Sequence, residues 1–411
     1  MTSNRTIAIA GASLAGAKAA EAARQAGYDG RVVLIGDEAA APYERPPLSK
    51  AVLRGEAEVD TARVHDEGFY ADHGIELVTD RVTALDAAAR RFELGSGGSV
   101  AFDRAILATG AAPRRLAVPG ADPAAVHYLR TIDDAVRLRD AIRGAARVAV
   151  IGAGWIGSEV AASARQMGAN VVMIDPASVP LHRVLGDEIG AVFRQLHADN
   201  GVELLLGVGV AELRGTKTVE EVVLDDGRVE SADVVVAGIG VTPRTELAEA
   251  AIGFRVDNGI LVDQHLETNV DGIYAAGDVA NAWHQRYKRH LRVEHWANAL
   301  NQGTLAGRNA AGEQEAYTRL PYFFSDQYDL GMEYVGHGQG DDAVAVRGDL
   351  ASREFIAFWH RDGVVSAAMN VNVWDVVDDL KAIVEADAPV DLARLTDPDV
   401  PLSQSGAGPK T

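Results

Sequence analysis

The stretch that decides the fold is RVAVIGAGWIGSE, which occupies residues 147–159. Its apolar run Val148–Ile151 is typical of a buried strand, and Gly152, Gly154 and Gly157 follow in the spacing Gly-x-Gly-x-x-Gly. The first glycine of this motif permits a tight turn, the second lets the backbone approach a pyrophosphate, and the third lets a helix pack close to the strand. The free N–H groups and the positive dipole end of that helix favour phosphate. The pattern predicts a dinucleotide-binding unit, and the alternative is a Gly-rich turn without a ligand.

The strand after this motif ends on an acid. Residues 171–174 read VVMI, and Asp175 follows them. A carboxylate at this position accepts hydrogen bonds from the adenosine ribose and repels a 2′-phosphate. We therefore expect NADH, rather than NADPH, to be the ligand of this unit.

An imperfect copy of the pattern lies near the N-terminus. Residues 11–16 read GASLAG after an apolar strand, so that Ser13 replaces the middle glycine. Serine is small enough for the backbone to approach a pyrophosphate, and its hydroxyl adds a donor. The next strand, at 31–36, is followed by Asp37, which we favour over Glu38 as the ribose-binding acid. The alternative is again a Gly-rich turn that binds nothing.

Two short segments indicate which cofactor belongs to each unit. Ala108, Thr109 and Gly110 follow one strand, and Gly277 and Asp278 follow another. In flavoproteins with two dinucleotide sites, segments of this kind close the FAD site, where the aspartate binds a ribitol hydroxyl. We therefore expect FAD on the N-terminal unit and NADH on the inserted one.

The composition excludes several classes of protein. The 411 residues contain no cysteine, which rules out disulfides, thiolate nucleophiles and cysteine-ligated metal sites on this chain, and we expect no metal. The net charge of −20 argues against nucleic acid and anionic membranes as partners. No signal peptide and no apolar run of about 20 residues is evident, so we expect a soluble cytoplasmic protein.

Strand-like and helix-like segments alternate through most of the chain, which is typical of doubly wound α/β units. We predict two Rossmann-like dinucleotide-binding domains followed by a C-terminal α+β domain. The predicted FAD-binding domain comprises residues 1–113 and 243–315, the NADH-binding domain residues 114–242, and the C-terminal interface domain residues 316–402. Residues 403–411 are typical of a disordered tail.

With these motifs in place, the sequence resembles the FAD-dependent ferredoxin reductases that serve bacterial oxygenases. The resemblance covers essentially the whole chain and rests on the two fingerprints and on further strings. These are PYERPPLSK at 42–50, LRT at 129–131, RVEHWANALNQ at 292–302 and PYFFSDQ at 321–327. The chain departs from the family at Ser13, and at Phe324, where the family has tryptophan.

The resemblance implies a glutathione-reductase-like architecture with non-covalently bound FAD. It implies that Lys50 lies by flavin N5 and is paired with Glu159. It adds several residues to those of the fingerprints, so that the predicted FAD site comprises Gly11, Ser13, Leu14, Ala15, Gly16, Asp37, Lys50, Val82, Ala108, Thr109, Gly110, Arg130, Gly277, Asp278 and Trp296. The predicted NADH site comprises Gly152, Gly154, Ile156, Gly157, Glu159, Asp175, Arg183 and the turn Gly238-Ile239-Gly240.

Each of the residues implied by the resemblance has a plainer alternative. Lys50 is otherwise a surface lysine, Glu159 an acid in the first turn of a helix, and Trp296 a core residue. Arg183 is otherwise a solvated loop arginine. With His182 it would tolerate a 2′-phosphate, which leaves NADPH open.

The absence of cysteine separates this chain from disulfide reductases and from peroxidases of related architecture. The stretch from Arg45 to Lys50, where those enzymes carry cysteine, has none. We therefore predict hydride transfer from NADH to FAD and then transfer of single electrons to an external carrier. The resemblance implies that the carrier is a [2Fe–2S] ferredoxin, which supplies a cytochrome P450 or a ring-hydroxylating dioxygenase.

Two other functions stay open from the sequence. An NADH oxidase or quinone-type reductase turns over without a carrier protein. A signalling flavoprotein resembling apoptosis-inducing factor turns over slowly. The ferredoxin, the terminal oxygenase, the final substrate and the oligomeric state are not decided by the sequence.

A basic cluster follows the Gly-Asp segment. Its members are Arg286, Lys288, Arg289, His290 and Arg292. Such ferredoxins are usually acidic, as this chain is, so a local basic patch would resolve the charge conflict. We expect the cluster to steer the ferredoxin, and the alternative is a solvated loop without a partner.

Overall fold

The structure, a computed structural model, describes residues 5–122, 125–216 and 218–405. Short 3-10 helices span Pro46–Ser49, Val59–Ala62 and Gly277–Val279. The α-helices are α1 (Leu14–Gln25), α2 (Ala51–Arg54), α3 (Phe69–Asp72), α4 (Ile132–Arg143), α5 (Trp155–Gln166), α6 (His182–Asp199), α7 (Glu246–Ala250), α8 (Trp296–Ala311), α9 (Val377–Glu385), α10 (Leu392–Thr396) and α11 (Leu402–Ser405).

The strands alternate with these helices through most of the chain. They are β1 (Thr6–Ala10), β2 (Arg31–Gly36), β3 (Ile75–Thr79), β4 (Val82–Asp86), β5 (Arg91–Leu94), β6 (Ser99–Ala101), β7 (Arg104–Leu107), β8 (Ala111–Pro113), β9 (Arg147–Ile151), β10 (Asn170–Asp175), β11 (Glu203–Leu206), β12 (Val210–Arg214), β13 (Glu221–Leu224), β14 (Val229–Ser231), β15 (Val234–Ala237), β16 (Val241–Pro243), β17 (Ile260–Val262), β18 (Ile273–Ala275), β19 (Ala280–His284), β20 (Arg289–Leu291), β21 (Tyr322–Gln327), β22 (Leu330–Gly336), β23 (Ala343–Asp349), β24 (Glu354–Arg361) and β25 (Val364–Val371).

The first of two compact units comprises Met1–Arg45, Val59–Ala112 and Val241–Pro321. Its main sheet is parallel, with the strand order β18-β7-β1-β2-β3. Strand β1 lies between β2 and β7, with Ile7 beside Val32. The residues of β1, β2 and β7 are almost all buried, as expected of strands covered on both faces.

Helix α1 packs closely on helix α8 because both present small residues to each other. A Cβ atom added to Gly303 would lie 2.3 Å from the carbonyl oxygen of Ala15, and one added to Gly307 would lie 2.1 Å from that of Ala19. Only glycine permits this approach, and the alanines of α1 complete the contact. This packing holds α1 and its preceding turn in place beside the sheet.

The second compact unit comprises Pro46–Glu58, Pro113–Gly240 and Tyr322–Thr411. It contains a second parallel sheet of strand order β11-β10-β9-β15 and an antiparallel sheet β12-β13-β14. The two parallel sheets confirm the prediction of two α/β units. Each unit starts with a strand, a Gly-rich turn, a helix and a second strand. The sequence predicts this start because the apolar periodicity of strands and helices is a local feature.

The C-terminal segment forms a five-stranded antiparallel sheet of order β21-β22-β25-β24-β23. Its inner face shares an apolar cluster with helix α6, in which Leu185 and Phe193 meet Phe355 and Met369. Helix α9 follows the last strand of this sheet, β25. The α+β character of the C-terminal region is therefore confirmed, and its sheet packs within the second unit.

The predicted tail only partly falls on described residues. Its first residues belong to helix α11, whose Ser405 is buried, while residues 406–411 lie outside the described part. The exact domain boundaries that we predict from the sequence stay a prediction. Among the described residues, no helix combines the length and the apolarity that crossing a bilayer requires.

The contact between α1 and α8 generates a stability prediction. We expect Gly307→Ala to lower the free energy of unfolding by about 1–3 kcal/mol, because the new methyl group collides with backbone that cannot move away cheaply. The matched control is Gly144→Ala, since Gly144 has φ −98° and a Cβ there would lie 3.9 Å from the carbonyl oxygen of Ala141, an ordinary contact distance. Urea unfolding followed by far-ultraviolet circular dichroism measures both; equal midpoints for the two variants would contradict the packing described.

Candidate functional site

The Gly-rich turn between β9 and α5 is built as the sequence predicts. Gly152 has φ +101°, and a Cβ added there would lie 2.5 Å from the carbonyl oxygen of Gly238. A Cβ on Gly157 would lie 1.9 Å from the carbonyl oxygen of Gly152. Both glycines are therefore required by the turn itself, whether or not a ligand binds.

Gly154 differs from its two neighbours in the motif. It is exposed, has an ordinary extended conformation with φ −78°, and a Cβ there would reach no closer than 4.0 Å to the carbonyl oxygen of Gly238. The packing of the protein does not require glycine at this position. The open space beside the N-terminus of α5, next to the 42% exposed Ile156, fits a pyrophosphate that needs close approach of the backbone.

Asp175 ends β10 beside this turn. Its Oδ2 accepts a hydrogen bond from the backbone N–H of Ala153 at 2.7 Å, and its Oδ1 accepts one from Ala177 at 2.7 Å. The carboxylate is half-buried and is thereby fixed at the carboxyl end of the strand next to β9. This is the position at which an acid accepts hydrogen bonds from a ribose.

The remaining predicted NADH-site residues lie at nearby strand and helix ends of the second unit. Gly238 and Gly240 follow β15, which pairs with β9, and Gly240 has φ +97°. Arg183 is exposed in the short segment of α6 that precedes a break at Gly186. His182, beside it, pairs with Asp187, with Nδ1 and Oδ1 3.2 Å apart.

The turn between β1 and α1 repeats this construction in the first unit. Gly11 has φ +115°, and a Cβ there would lie 2.1 Å from the carbonyl oxygen of Ala108. A Cβ on Gly16 would lie 1.9 Å from the carbonyl oxygen of Gly11. Ser13 occupies the N-cap position of α1, and its side chain forms no capping hydrogen bond with the helix. A hydroxyl at a helix N-terminus that is not used for capping fits a phosphate ligand.

Helix α1 continues this turn inward, where Leu14 and Ala15 are buried. Ala15 contacts the Gly-Asp segment, since a Cβ on Gly277, which has φ +79°, would lie 3.0 Å from the Ala15 Cβ. The backbone N–H of Gly277 donates to the side chain of Gln302 at 3.0 Å, and Asp278 is half-buried in the following 3-10 helix. The two segments predicted to hold FAD are therefore adjacent in the first unit.

Two acids follow β2, and the structure distinguishes them. Glu38 binds the hydroxyl of Tyr43 and the guanidinium of Arg45, the latter at 3.1 Å. Asp37 is exposed, and no described residue forms an ion pair or hydrogen bond with its carboxylate. This agrees with the choice of Asp37 as the acid that is available to a ribose.

The other residues of the predicted FAD site occupy different elements. Thr109 donates its hydroxyl to the carbonyl oxygen of Arg244 at 2.8 Å, and Gly110 has φ +70°. Val82 begins β4 and Trp296 begins α8, and both are half-buried.

Arg130 belongs to the second unit. It is half-buried and stands just before helix α4, where its backbone N–H donates to the Asp134 carboxylate at 3.1 Å. Thr131 and Asp134 form a capping box there, which fixes the entry of the chain into α4.

The second unit contains the predicted charge pair. Lys50 Nζ lies 2.8 Å from Glu159 Oε2, and only 15% of the lysine side chain and 6% of the glutamate side chain are exposed. The ammonium group also donates to the carbonyl oxygen of Pro46 at 3.3 Å and lies 5.9 Å from the centre of the Phe324 ring. The sequence prediction that Lys50 and Glu159 are paired is therefore met by the geometry.

Two serines that the sequence analysis did not single out complete this pair. Ser49 donates its hydroxyl to Glu159 Oε2, and Ser325 donates to Oε1 at 2.7 Å. Both belong to strings that carried the resemblance, PYERPPLSK and PYFFSDQ, but no local pattern indicates what their hydroxyls contact. Each oxygen of the buried carboxylate thus has a donor, which a buried charge requires.

Asp326 is a further acid whose charge interacts with this pair. Burial raises its pKa, the negative charges of Glu159 and Glu333 act in the same direction, and Lys50 opposes them. Lys50, whose pair with Glu159 is largely buried, therefore interacts with more than one carboxyl group. Such a setting strengthens the field that the charges exert on a neighbouring group.

The basic cluster lies on and after the β19–β20 hairpin of the first unit. Lys288, Arg289 and His290 are exposed, and Arg286 is half-buried. Arg292 does not belong to the exposed part of the cluster that the sequence predicts. Its side chain is only 8% exposed, and its Nη1 pairs with Glu294 at 2.6 Å. The exposed part of the cluster is therefore smaller than the sequence suggests.

Comparison with known proteins finds relatives along nearly the full chain. The family described as pyridine nucleotide-disulphide oxidoreductase matches residues 5–303, and the family described as reductase C-terminal matches residues 322–405. The anthranilate 1,2-dioxygenase system ferredoxin–NAD(+) reductase component of Burkholderia cepacia is 39% identical, over 96% of this chain and 97% of that protein.

Two solved structures are similar over almost the whole chain. The ferredoxin reductase for the CYP199A2 system from Rhodopseudomonas palustris is 37% identical with a TM-score of 0.94, covering 98% of this chain and 100% of that one. The covalent putidaredoxin reductase–putidaredoxin complex contains a chain that is 35% identical with a TM-score of 0.93, covering 98% of each chain.

The contrast between Gly154 and Gly157 generates a binding prediction. We expect Gly154→Ala to raise the dissociation constant for NADH about tenfold or more, because the methyl group enters the space of the pyrophosphate, and to leave the melting temperature nearly unchanged. Gly157→Ala should instead lower the melting temperature, because its Cβ collides with Gly152. Fluorescence titration with NADH and thermal unfolding separate the two effects; unchanged NADH affinity in Gly154→Ala would show that this turn does not hold the dinucleotide.

Proposed function

Since the chain belongs to the pyridine nucleotide-disulphide oxidoreductase family, we propose that it is an FAD-containing, NADH-dependent ferredoxin reductase of an oxygenase system. In this role it passes single electrons to a [2Fe–2S] ferredoxin, which supplies a cytochrome P450 or a ring-hydroxylating dioxygenase. The similar proteins named above include reductases of both kinds of system. Because NADH is a cytoplasmic reductant, the proposed location is the cytoplasm.

The observation that carries this proposal is the buried Lys50–Glu159 pair in a chain that has two dinucleotide turns and no cysteine. Disulphide reductases of this family use a cysteine pair to receive electrons from the flavin. Here the stretch that leads to Lys50 provides a lysine and a serine instead. The electrons must therefore leave to an acceptor that is not a thiol of this chain.

When bound, FAD supplies the redox chemistry: it takes a hydride from NADH and releases electrons one at a time. The chain supplies alignment and charge. We propose that Lys50 contacts flavin N5 and that Glu159 holds the lysine ammonium there. Ser49 and Ser325 fix both oxygens of that carboxylate, and the burial of the pair keeps water away from it.

The proposed cofactor sites follow from the two turns. FAD is held by the turn at Gly11 and Ser13, by Asp37 and by the Gly277-Asp278 segment. NADH is held by the turn at Gly152 and Gly154, with Asp175 on the adenosine ribose. The carboxylate of Asp175 faces the position of a 2′-phosphate and disfavours NADPH. Arg183 is exposed near the same end of the sheet.

Stopped-flow reduction of the holoprotein tests the proposed donor and acceptor together. We expect the flavin absorbance to be bleached at least about tenfold faster by NADH than by NADPH at equal concentration, since a carboxylate and a 2′-phosphate repel each other. When an acidic [2Fe–2S] ferredoxin is added and cytochrome c is the final acceptor, electrons should reach cytochrome c far faster than they reach oxygen. Faster reduction by NADPH would overturn the role of Asp175, and rapid NADH oxidation by oxygen without a carrier would favour an oxidase.

The docking surface of the ferredoxin is proposed to include Arg286, Lys288 and Arg289. These residues lie on a hairpin whose Trp283 is 37% exposed and contacts the ring of His290, with centroids 5.4 Å apart. The exposed cations Lys288 and Arg289, with the half-buried Arg286, lie near an exposed aromatic side chain and suit a partner with an acidic surface. The net charge of −20 of the whole chain makes such a local patch necessary for productive encounter.

Charge reversal of these three residues to glutamate provides the test. The rate of ferredoxin reduction at low ionic strength should fall about tenfold or more and lose most of its salt dependence, while flavin reduction by NADH stays unchanged. The matched control reverses Arg143, Arg214 and Arg228, whose side chains are 55%, 51% and 50% exposed, so that the net charge changes equally. If both triple variants behave alike, the hairpin is not the docking surface.

A further inference from the structure

A buried row of polar side chains leads away from the Lys50–Glu159 pair. It contains Ser325 and Gln327 of strand β21, His197 of helix α6, and Tyr328 of the following turn. The separations are 2.7 Å from Glu159 Oε1 to Ser325 Oγ, 3.4 Å from Ser325 Oγ to Gln327 Nε2, 3.1 Å from Gln327 Oε1 to His197 Nε2, and 3.3 Å from His197 Nδ1 to the Tyr328 hydroxyl. We call this row the Glu159 chain.

Glu159, Ser325, Gln327 and His197 are almost inaccessible to water, whereas Tyr328 at the far end of the Glu159 chain is half-buried. The exposed fractions are 5% for Glu159, 1% for Ser325, 1% for Gln327 and 0% for His197. A buried polar group without a hydrogen-bond partner is costly in free energy. Each polar group of the row therefore needs the next member as its partner. Burial also lowers the pKa of His197 to about 4, so the imidazole is neutral at physiological pH.

The direction of every hydrogen bond in the row follows from its Glu159 end. Glu159, the anionic partner of Lys50, only accepts, so Ser325 donates to it. Ser325 then accepts from the Gln327 amide nitrogen, which leaves the amide oxygen to accept from His197 Nε2. The imidazole carries its proton on Nε2, and Nδ1 accepts from the Tyr328 hydroxyl. All donors therefore point toward the Glu159 carboxylate.

The fold explains why these residues meet. Ser325 and Gln327 are two positions apart in β21 and therefore lie on the same face of the strand. The strand is fixed against α5 and α6 by Trp155, whose ring lies 4.9 Å from that of Phe323 and 6.1 Å from that of Phe193. The sequence-distant segments 155–166 and 322–327 are thus brought together by apolar packing, and the polar row runs along their contact.

The turn after β21 fixes the far end of the row. Tyr328 has φ +57°, a left-handed conformation that residues with a side chain adopt only at a cost in free energy. Its ring stands edge-on to that of His197, with centroids 5.6 Å apart. The contact with His197 offsets the cost of this conformation and holds the tyrosine hydroxyl at Nδ1.

We propose that Ser325, Gln327 and His197 are positioning residues for Glu159, and through it for Lys50. The row fixes the carboxylate so that Oε1 faces Ser325 and Oε2 faces Lys50 and Ser49. Its aligned donors stabilise the negative charge of that carboxylate, and chains of hydrogen bonds aligned in one direction strengthen one another. This inference rests on the proposed function for the effect of Lys50 on hydride transfer, but the row itself does not depend on that function.

The substitution Glu159→Gln tests the direction of the row without an activity measurement. Lys50 only donates, so the new amide turns its oxygen to Lys50 and its NH₂ group to Ser325. Ser325 then has to donate to Gln327, the Gln327 amide turns over, and its nitrogen donates to His197 Nε2. The imidazole proton has to move to Nδ1.

Nitrogen-15 NMR of histidine-labelled holoprotein distinguishes the two tautomers, and His197 is assigned by the signal lost in His197→Gln. We expect the Nε2–H tautomer in the parent protein and the Nδ1–H tautomer in Glu159→Gln. The same tautomer in both proteins would overturn the proposed direction of the row. If NADH does not reduce the flavin of the parent holoprotein, the proposed function is refuted. The comparison of the two tautomers then still tests the direction of the row.

Two variants of His197 separate positioning from packing. His197→Gln keeps an N–H donor near the Nε2 position, whereas His197→Leu keeps apolar volume and loses the donor. The limiting rate constant of flavin reduction at saturating NADH should fall about threefold to fivefold in His197→Leu and stay within about twofold in His197→Gln, because the hydrogen bond to Gln327 is lost only in His197→Leu. The dissociation constant for NADH should not change in either variant.

Ser325→Ala removes the donor that contacts Glu159 itself. We expect a larger loss of the limiting rate constant, about tenfold, because hydrogen bonds to charged groups are stronger than those between neutral groups. A purely structural role would lower the melting temperature of Ser325→Ala and His197→Leu and leave the limiting rate constant of the folded holoprotein unchanged. That outcome would overturn the assignment.

Discussion

The interaction between Lys50 and Glu159 is the constraint on which the second compact unit depends. Taking two charges out of water costs several kcal/mol per ion unless each charge finds close partners. Here the carboxylate oxygens receive hydrogen bonds from Ser49 and Ser325 as well as the ammonium group. Together with Glu159 itself, these partners come from three segments that are far apart in the chain. The pair is therefore satisfied only when residues 46–58, 113–240 and the C-terminal sheet fold together.

Local chemistry made much of the fold predictable. The two parallel sheets and their Gly-rich turns follow from strand and helix periodicity and from glycines at fixed spacing, and Gly11 and Gly152 adopt the positive φ that such turns need. Asp175 stands at the predicted strand end because the strand before it is a continuous apolar run. The pairing of Lys50 with Glu159 was also predicted, although only through resemblance to a family, since nothing local connects two residues so far apart.

The part that could not be predicted depends on contacts between distant segments. Ser325, Gln327 and His197 give no local signal, because a serine or glutamine in a strand and a histidine in a helix are usually at the surface. Arg292 belongs to a basic run in the sequence, but its guanidinium turns inward to Glu294. The choice between the neighbouring acids Asp37 and Glu38 depends on Tyr43 and Arg45. Their side chains form hydrogen bonds with Glu38, which leaves the Asp37 carboxylate available to a ribose.

An anaerobic titration tests the central claim, that electrons enter as a hydride and leave singly to a ferredoxin because the chain has no thiol to receive them. The holoprotein is reduced with one equivalent of NADH and then titrated with an oxidised [2Fe–2S] ferredoxin while the flavin absorbance is followed. Full recovery of that absorbance with about two equivalents of ferredoxin per NADH is the predicted result. A flavin that stays reduced in the presence of excess ferredoxin, and is reoxidised only by oxygen or a quinone, would contradict the account.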